Sequence, residues 1–381
     1  MILPVLRELR KNPSLEISVM AFTGARFSFD AAGVKYFSFK DTQEFKNSPS
    51  AHDLGSKFAT ETSGLLPVEE TIAYMGCSLA DLVETHGETE AFRLFAEQGR
   101  NAFLPVRFFK SLLQRERYDL VVTTNSPRSE KALVFAAQEL GIPSVVVVDL
   151  FDHREFVDRT ALPGYGTKIC VLNEYVRNEM MKLGRPNDEI VITGNPAFDK
   201  LADPGLDAAA ENLRRERSWI GKKIILWARG NDPESLELNP AIEKRLGEYA
   251  LQNPNTVLVI RPHPNENLEA LEFPANAFIS TRKDPLPPLL KASDLVITML
   301  STVGLEGALI GKPLIQLRMS EFSFASPYIE LGLAIGATNL DELEAATDQV
   351  VTSSTGIPST ENTTPLGTAA AAVASVINQL L

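Results

Sequence analysis

A chain of 381 residues is longer than one domain core usually allows, so two domains are expected. The formal net charge of −12 at pH 7 argues against a nucleic-acid partner, which would require a basic surface. The two cysteines, Cys77 and Cys170, lie far apart and outside any ligand motif, which argues against a disulfide framework or a zinc site.

The first predicted element is a helix. Residues 3–13 have helical apolar spacing and stop at an Asn-Pro pair, and the alternation over residues 15–21 predicts a strand. A doubly wound sheet normally opens on a strand and a glycine-rich turn, and neither precedes this helix. Residues 25–65 show no assignable periodicity, whereas residues 67–113 are predicted to be helical.

The sequence also indicates where in the cell the protein is expected to be. No apolar run reaches about 18 residues, and the N-terminus lacks the pattern of a signal peptide, so a cytoplasmic protein is expected. The segment 103–113 is basic and aromatic. It fits a helix that covers the next strand, with peripheral contact to an acidic membrane as the minor alternative.

Strands and helices alternate regularly from residue 118 to the end. Apolar strands are predicted at 118–124, 144–148, 168–172, 189–193, 223–228, 256–260, 278–280, 295–298 and 314–317. Helices are predicted at 129–140, 174–183, 241–251, 286–292, 303–310 and 368–381. Continuously apolar strands between helices indicate parallel sheets covered on both faces.

This pattern predicts an α/β fold with two Rossmann-like domains that face each other across a cleft. Residues 1–198 form the N-terminal acceptor domain, and residues 199–365 form the C-terminal nucleotide-binding domain, with a polar connection at 199–217. Residues 353–367 are predicted to be a loop. The final helix, within residues 366–381, is expected to pack back on the first domain.

One stretch predicts a phosphate site. After the strand at 295–298 come Ser301 and Thr302, and then a helix that includes Val303, Gly304 and Glu306. The first turn of such a helix presents unpaired N–H groups and the positive end of the helix dipole. Glu306 lies about one turn into the helix, where its carboxylate suits the two hydroxyls of a ribose. An ordinary strand–loop–helix unit with a capping hydroxyl is the alternative.

Other polar residues follow neighbouring strands. In the second half, Arg229, Arg261 and His263 are candidates to neutralise a departing nucleotide phosphate. In the first half, Asp149 and Asp152 are candidates for the base that deprotonates an acceptor hydroxyl, with surface loop charge as the alternative. Walker loops, Gly-x-Gly-x-x-Gly and Gly-x-Ser-x-Gly are absent from the sequence, so nothing supports an NTPase, a dinucleotide oxidoreductase or a serine hydrolase.

Four segments together resemble the nucleotide-sugar enzymes of the GT-B fold. They are GIPSVVVVD at 141–149, VITGNPAFDKL at 191–201, RPHPN at 261–265 and LLKASDLVITMLSTVGLEGALIGKPLIQLR at 289–318. Within that group the chain is most similar to non-hydrolysing UDP-N-acetylglucosamine 2-epimerases and to related surface-polysaccharide glycosyltransferases. The resemblance implies that the second domain binds the nucleotide and that Glu306 binds its ribose.

The sequence departs from the epimerase pattern at three places. The two glycines expected before the ribose-binding Glu are Ser301 and Thr302, which resemble the paired hydroxyls of CDP-glycerol and sialyl transferases. The acidic residue expected after the strand at 118–124 falls near Ser126, and the expected histidine after the strand at 223–228 is absent. The first strand and its loop have no counterpart, so we expect either a start upstream of Met1 or a reduced family member.

These departures favour a glycosyltransferase of surface-polysaccharide synthesis. The resemblance implies a UDP-, CDP- or CMP-linked sugar donor, a saccharide or lipid-linked acceptor, and no cofactor or metal beyond the donor. The alternatives are a sugar-nucleotide 2-epimerase with altered catalytic residues and a nucleotide-sugar-binding protein without turnover. The sequence leaves the oligomeric state open.

Overall fold

We analysed a computed structural model of the chain, which describes residues 1–22, 24–59, 67–149, 151, 160–264, 266–353 and 366–381. Two parallel β-sheets, one of four strands and one of six, form its framework. The predicted α/β fold with two Rossmann-like units is thereby confirmed.

The four-stranded sheet belongs to the first half of the chain. Its strands are paired in the order β1-β2-β3-β4 and are parallel throughout. All four residues of β2 are buried, which explains why three valines follow Ser144 without an intervening polar residue. The strands are β1 (Val121–Thr124), β2 (Ser144–Val147), β3 (Lys168–Val171) and β4 (Ile190–Ile192).

The six-stranded sheet belongs to the second half and has the order β10-β9-β8-β5-β6-β7. The chain winds outward from β5 to β7 and then returns to β8 on the other side of β5. The crevice at such a change of direction is where open α/β sheets bind ligands. The strands are β5 (Lys223–Ala228), β6 (Thr256–Arg261), β7 (Ala277–Ile279), β8 (Leu295–Thr298), β9 (Leu314–Leu317) and β10 (Ile335–Ala337).

Fifteen α-helices within the described residues surround these sheets. In the first half they are α1 (Ile2–Leu9), α2 (Ala25–Ala31), α3 (Gln43–Lys46), α4 (Pro49–Phe58), α5 (Val68–His86), α6 (Glu88–Gln98), α7 (Val106–Glu116), α8 (Ser129–Glu139) and α9 (Glu174–Lys182). The others are α10 (Leu206–Glu216), α11 (Pro233–Gln252), α12 (Leu286–Ala292), α13 (Thr302–Leu309), α14 (Leu340–Ser353) and α15 (Ala369–Leu380). None of the helices in the described ranges has the length and apolarity needed to cross a membrane.

Several predicted elements need correction. The connection predicted at 199–217 contains α10, whose Arg214 bonds to Ala292 O and pairs with Asp294 at 2.6 Å. The strand predicted at 15–21 is reduced to one parallel bridge between Met20 and Phe37. Helices α2, α3 and α4 lie in the region without assignable periodicity, where short helices leave little repeat to detect. Most of the loop predicted at 353–367 lies outside the described residues.

The two halves share packed side chains. One continuous apolar cluster contains Val146 and Val148 of the first half together with Ile224 and Leu226 of the second. The rings of Phe151 and Tyr328 also meet edge to face, 5.8 Å apart. The C-terminal helix α15 packs in a separate cluster with α1 and β2, so the end of the chain returns to the first half.

Candidate functional site

The candidate site lies where β5 and β8 end side by side in the six-stranded sheet. Ala228 and Thr298 are paired at this edge, and the Thr298 hydroxyl donates to Ala228 O at 2.9 Å. Arg229 continues from β5, and the turn into α13 continues from β8. The strand order therefore brings together residues that are about 70 positions apart in the chain.

Hydrogen bonds fix the turn into α13. The Ser301 N–H donates to the Thr298 hydroxyl at 3.1 Å, and the Ser301 Oγ accepts from Val303 N–H at 3.3 Å. The carbonyl of Ser301 accepts from Gly304 N–H at 2.9 Å and from the Tyr328 hydroxyl at 3.0 Å. The N–H groups of Val303 and Gly304 are thus used within the turn. That of Thr302 makes no bond within the described part of the chain.

Gly304 is held by close packing. A Cβ at this position would lie 2.8 Å from Thr298 Cγ2 and 3.2 Å from both Leu314 Cδ1 and Tyr328 Cε2. Because real Cβ atoms do not approach that closely, only glycine lets α13 lie this near β8 and β9. Packing inside the protein therefore explains why position 304, a predicted site residue, is occupied by glycine.

The Glu306 carboxylate is buried one turn into α13, with 6% of the residue exposed. Lys200 Nζ lies 3.0 Å from its Oε2 in an ion pair, but no donor in the described residues has hydrogen-bond geometry to that oxygen. Burial raises the pKa of Glu306, against the charges of Lys200 and Arg261. The site therefore contains a desolvated carboxylate with unused accepting capacity.

Arg261 is the last residue of β6, and His263 follows it in the loop after the strand. Arg261 Nη1 donates to Ser280 Oγ at 2.8 Å and to two carbonyls, Thr281 O at 3.0 Å and Asp284 O at 2.8 Å. The Glu306 charge is near enough to affect the pKa of Arg261, which burial lowers. Burial also lowers the pKa of His263, against Glu266. Its imidazole is therefore neutral at pH 7, and Arg261 is the permanent cation of the pair.

Arg229 contacts acidic side chains of the protein, whereas the sequence predicted that it contacts a nucleotide phosphate. It is only 3% exposed, and its guanidinium pairs with Glu243 and, at 2.8 Å, with Glu266. The indole N–H of Trp227 also donates to Glu243 at 3.2 Å. Glu266 in turn accepts from the His263 N–H at 2.7 Å. These contacts hold the loop after β6 in place, and they occupy the guanidinium.

Asp149 follows β2 in the first half. Burial raises the pKa of its carboxyl, against the ammonium at Met1. Lys200, which pairs with Glu306, also lowers the pKa of the Met1 ammonium, so charges of the two sites act on the same group. Asp152 lies outside the described residues.

A short 3-10 helix, Pro196–Ala202, connects the parts of this cleft. Asn195 caps it and donates through Nδ2 to Asp149 O at 2.9 Å. Asp199 accepts from the N–H groups of Ala369 and Ala370, at 3.1 and 2.8 Å, at the start of α15. Lys200 pairs with Glu306. This short segment and its cap thus contact Asp149 beside the four-stranded sheet, Glu306 beside the six-stranded sheet and the start of the last helix.

Sequence reasoning missed two charged residues. Lys200 gave no signal because its partner Glu306 is distant in sequence. Glu130 accepts from the Thr124 hydroxyl and from Ser126 N–H at 3.1 Å, and burial raises its pKa. An acidic residue in the first turn of a helix after a strand was the available signal for Glu130. No group of three or more His, Cys, Asp or Glu placed to hold a metal occurs in the described ranges.

Comparisons by sequence give no match to any protein-family model or curated protein. Solved structures do match over nearly the whole chain. UDP-GlcNAc 2-epimerase from Neisseria meningitidis, bound to UDP-GlcNAc, has 16% identity and a TM-score of 0.62, covering 99% of this chain and 96% of its own. The chain has the GT-B fold. The S. aureus MnaA–UDP structure has a similar fold, with 15% identity and a TM-score of 0.63, covering 100% of this chain and 92% of its own.

A third match is the UDP-GlcNAc 2-epimerase of Methanocaldococcus jannaschii in complex with UDP-GlcNAc and UDP. It has 14% identity and a TM-score of 0.62, with 99% of this chain and 96% of that one covered. The suspected resemblance to GT-B nucleotide-sugar enzymes is confirmed at the level of the fold. At these identities the comparison concerns the fold alone.

Proposed function

We propose that this GT-B protein is an enzyme that acts on a nucleotide sugar. The nucleotide binds at the carboxyl end of the six-stranded sheet, with its ribose hydroxyls donating to Glu306. Its phosphates lie at the start of α13, where the Thr302 N–H, the Ser301 hydroxyl and the helix dipole favour an anion. Arg261 supplies the positive charge and His263 a neutral hydrogen-bonding group.

The observation that carries this proposal is the state of Glu306. The Glu306 carboxylate is buried, and the ion pair with Lys200 at 3.0 Å compensates its desolvation only in part, so further donors would stabilise it. A diol is a ligand that offers two donors to one carboxylate. Glu306 lies one turn into a helix that follows a central strand, so a diol bound to it would lie next to the helix N-terminus that we propose as the anion site.

For the reaction, we favour epimerisation of the sugar over transfer. Two of the similar structures are 2-epimerases of UDP-GlcNAc, which supports the epimerase alternative over the glycosyltransferase that the sequence favoured. Epimerisation at a carbon breaks and remakes one C–H bond, so it requires groups that exchange protons near neutral pH. Asp149, whose pKa burial raises, is our candidate for that role. Asp152 stays a prediction.

One observation favours the glycosyltransferase as a second candidate. Where the epimerase pattern has a histidine and two glycines, this chain has Ala228 at the end of β5 and the hydroxyls of Ser301 and Thr302 after β8, and the adjacent Arg229 is buried and paired with two glutamates. In that case Asp149 removes the proton of an acceptor hydroxyl while Arg261 stabilises the leaving nucleotide phosphate. A surface polysaccharide or a lipid-linked saccharide is the acceptor class we propose.

The nucleotide site is tested by calorimetric titration with UDP, CDP and CMP. Glu306→Gln keeps the shape but loses the charge, so we expect the affinity for the preferred nucleotide to fall about 10- to 100-fold, the loss of a charge-assisted hydrogen bond. Glu330→Gln is the matched control, because Glu330 is half-exposed and pairs with Arg318 in the same half of the chain. Equal affinities for both variants would overturn the assignment of Glu306.

The reaction is tested by NMR of UDP-GlcNAc incubated with the protein. We expect the signals of the manno epimer to appear without any acceptor. Consumption of the donor only after an acceptor saccharide is added would instead establish the transferase. Tight nucleotide binding with an unchanged sugar under both conditions would identify a binding protein without turnover.

A further inference from the structure

Two arginines of the first half are shielded from solvent without having a partner. Some arginines in the described ranges form neither an ion pair nor a side-chain hydrogen bond, and the exposed ones among them are solvated by water: Arg7, Arg10 and Arg117. Arg100 and Arg128 also form neither, but both are half-buried. The N–H donors of these two shielded arginines are therefore unused within the described residues.

Both shielded arginines lie near Tyr74 of α5. The Tyr74 and Phe103 rings meet edge to face with their centroids 5.8 Å apart, and Phe103 N–H donates to Arg100 O at 3.2 Å. Tyr74 also packs in one apolar cluster with Ala132, whose N–H donates to Arg128 O at 2.9 Å. Backbone hydrogen bonds and ring packing thus hold both arginines close to the same tyrosine.

The Tyr74 hydroxyl is a third donor without a partner in the described residues. Burial raises the pKa of Tyr74, and the charges of Arg128 and Arg100 act against burial. The phenol is therefore protonated at pH 7 and can donate a hydrogen bond. None of these polar atoms is fully buried, so a ligand from solvent can reach all three groups.

The acidic residues nearby have other partners. Glu70, one turn before Tyr74 on α5, pairs with Lys40 at 3.2 Å. Glu130, which follows Arg128 at the start of α8, accepts from a hydroxyl and from a backbone N–H. Neither shielded arginine has a carboxylate within ion-pair distance in the part of the chain that the structure describes. An anion that neutralises them must come from a ligand.

The position of Arg128 places these donors near Asp149. Arg128 comes three residues after Asn125, the residue that follows β1, and three residues span at most about 11 Å. Burial raises the pKa of Asp149, and a hydrogen bond from the Asn125 side chain acts against burial. An anion at the shielded arginines would therefore lie at the same edge of the four-stranded sheet as the candidate proton-exchanging residue.

We propose that Tyr74, Arg100 and Arg128 form a subsite for the phosphate group of a phosphorylated saccharide. Each guanidinium group can donate paired hydrogen bonds to phosphate oxygens, and the Tyr74 hydroxyl donates another. A phosphate monoester carries up to two negative charges at pH 7, which matches two guanidinium groups better than a carboxylate does. The subsite stands on the contacts of these residues alone, whereas its assignment to a saccharide rests on the proposed function.

The subsite is tested by calorimetric titration with inorganic phosphate and with glucose 6-phosphate. We expect Arg100→Gln and Arg128→Gln each to lower both affinities about 10- to 100-fold, because charge-assisted hydrogen bonds are lost. Arg93→Gln is the matched control, since Arg93 belongs to the same half but pairs with Glu90 and Glu97 on the surface. Unchanged affinities in both test variants, or an equal loss in the control, would overturn the subsite.

Two conservative variants separate binding from a structural role. Tyr74→Phe keeps the ring contacts and loses only the hydroxyl, and Arg128→Lys keeps the charge but loses the forked donors. We expect each to lower the affinity for glucose 6-phosphate about 3- to 10-fold at an unchanged melting temperature. Full affinity in Tyr74→Phe would remove Tyr74 from the subsite, and full affinity in Arg128→Lys would overturn the paired hydrogen bonds.

The ligand class is tested by comparing glucose 6-phosphate with glucuronate and inorganic phosphate. We expect glucose 6-phosphate to bind most tightly of the three. A higher affinity for glucuronate would overturn the phosphate assignment, and an affinity for glucose 6-phosphate no higher than for inorganic phosphate would overturn the saccharide.

Titration of inorganic phosphate in the presence of saturating UDP distinguishes the subsite from the proposed nucleotide site. We expect UDP to leave the affinity for phosphate unchanged, because the two sites belong to different sheets. Displacement of phosphate by UDP, together with weaker UDP binding in Arg100→Gln, would assign the arginines to the nucleotide site and overturn the subsite. Phosphate binding that depends on both arginines in a protein that does not bind UDP would support the subsite and contradict the proposed function.

Discussion

Buried carboxyl groups in the two halves of the molecule differ in what surrounds them. In the second half, Glu243 and Glu266 pair with Arg229, and Glu306 pairs with Lys200. In the first half, Glu70 likewise pairs with Lys40 at 3.2 Å, but Asp81 and Glu130 accept hydrogen bonds from backbone N–H groups, and a hydroxyl also donates to Glu130.

These two kinds of carboxyl group suit two different chemical roles. Fixed cations and anions in the second half form a preorganised array that suits the binding of a charged ligand. Burial raises the pKa of carboxyls in both halves, but Glu130 and Asp149 form no ion pair with a Lys or Arg in the described residues, so they suit the exchange of protons. The cleft therefore combines a binding side and a proton-exchanging side.

The largest expected effect comes from Arg229→Met. It leaves Glu243 and Glu266 buried without a cation, and we expect the free energy of unfolding to fall by about 3–5 kcal/mol in urea denaturation. Arg245→Met is the matched control, since Arg245 also contacts two acidic residues, Asp341 and Glu344, but on the surface. A loss no larger than that of the control would show that the triad does not stabilise the second half.

The next effect concerns Asp81 of the first half. Burial, against a hydrogen bond from Phe108 N–H, raises the pKa of Asp81 from 3.8 to about 6. Because folding disfavours its ionised form, the free energy of unfolding falls as the pH rises through this window and stays lower above it.

Asp81→Asn removes that titration and keeps an acceptor for Phe108 N–H. Relative to the unmodified chain, we expect the variant to gain up to about 3 kcal/mol between pH 3.5 and pH 7.5. Denaturation at both pH values measures the gain, with Asp53→Asn as a control at an exposed position. A pH-independent difference would contradict the assignment.

The smallest effect tests how closely α13 must approach its sheet. Gly304→Ala places a Cβ 2.8 Å from Thr298 Cγ2, and we expect a loss of about 2 kcal/mol from overpacking. Gly24→Ala is the control, because no atom lies within 4 Å of its added Cβ and its φ is −65°. If both variants unfold alike, the turn tolerates displacement and the binding side is less rigid than we infer.

The sequence predicted the second half of the fold better than the first. Strands β5, β8 and β9 and helix α12 occur at the predicted residues, because uninterrupted apolar runs between clear turn signals define them locally. The first half contains short helices without a detectable repeat. It also contains a strand-like segment, residues 15–21, that has only one bridge where a full ladder was expected.

The sequence predicted which types of residue form the candidate site, but it did not predict which of them form ion pairs with one another. The turn at Ser301 and the position of Glu306 in the helix after it followed from local order alone. The partners of Arg229 did not, because Glu243 lies on α11 and Glu266 follows β6, and only the folded chain brings these three together. Lys200 was missed for the same reason.

The short helix Pro196–Ala202 mechanically links the parts of the molecule on either side of the cleft. It contacts Asp149 through Asn195, the start of α15 through Asp199 and the ribose site through Lys200. A rotation of one half against the other therefore changes the distance between Lys200 and Glu306. If the proposed site binds a nucleotide at Glu306, its occupancy and the opening of the cleft are therefore expected to be thermodynamically coupled.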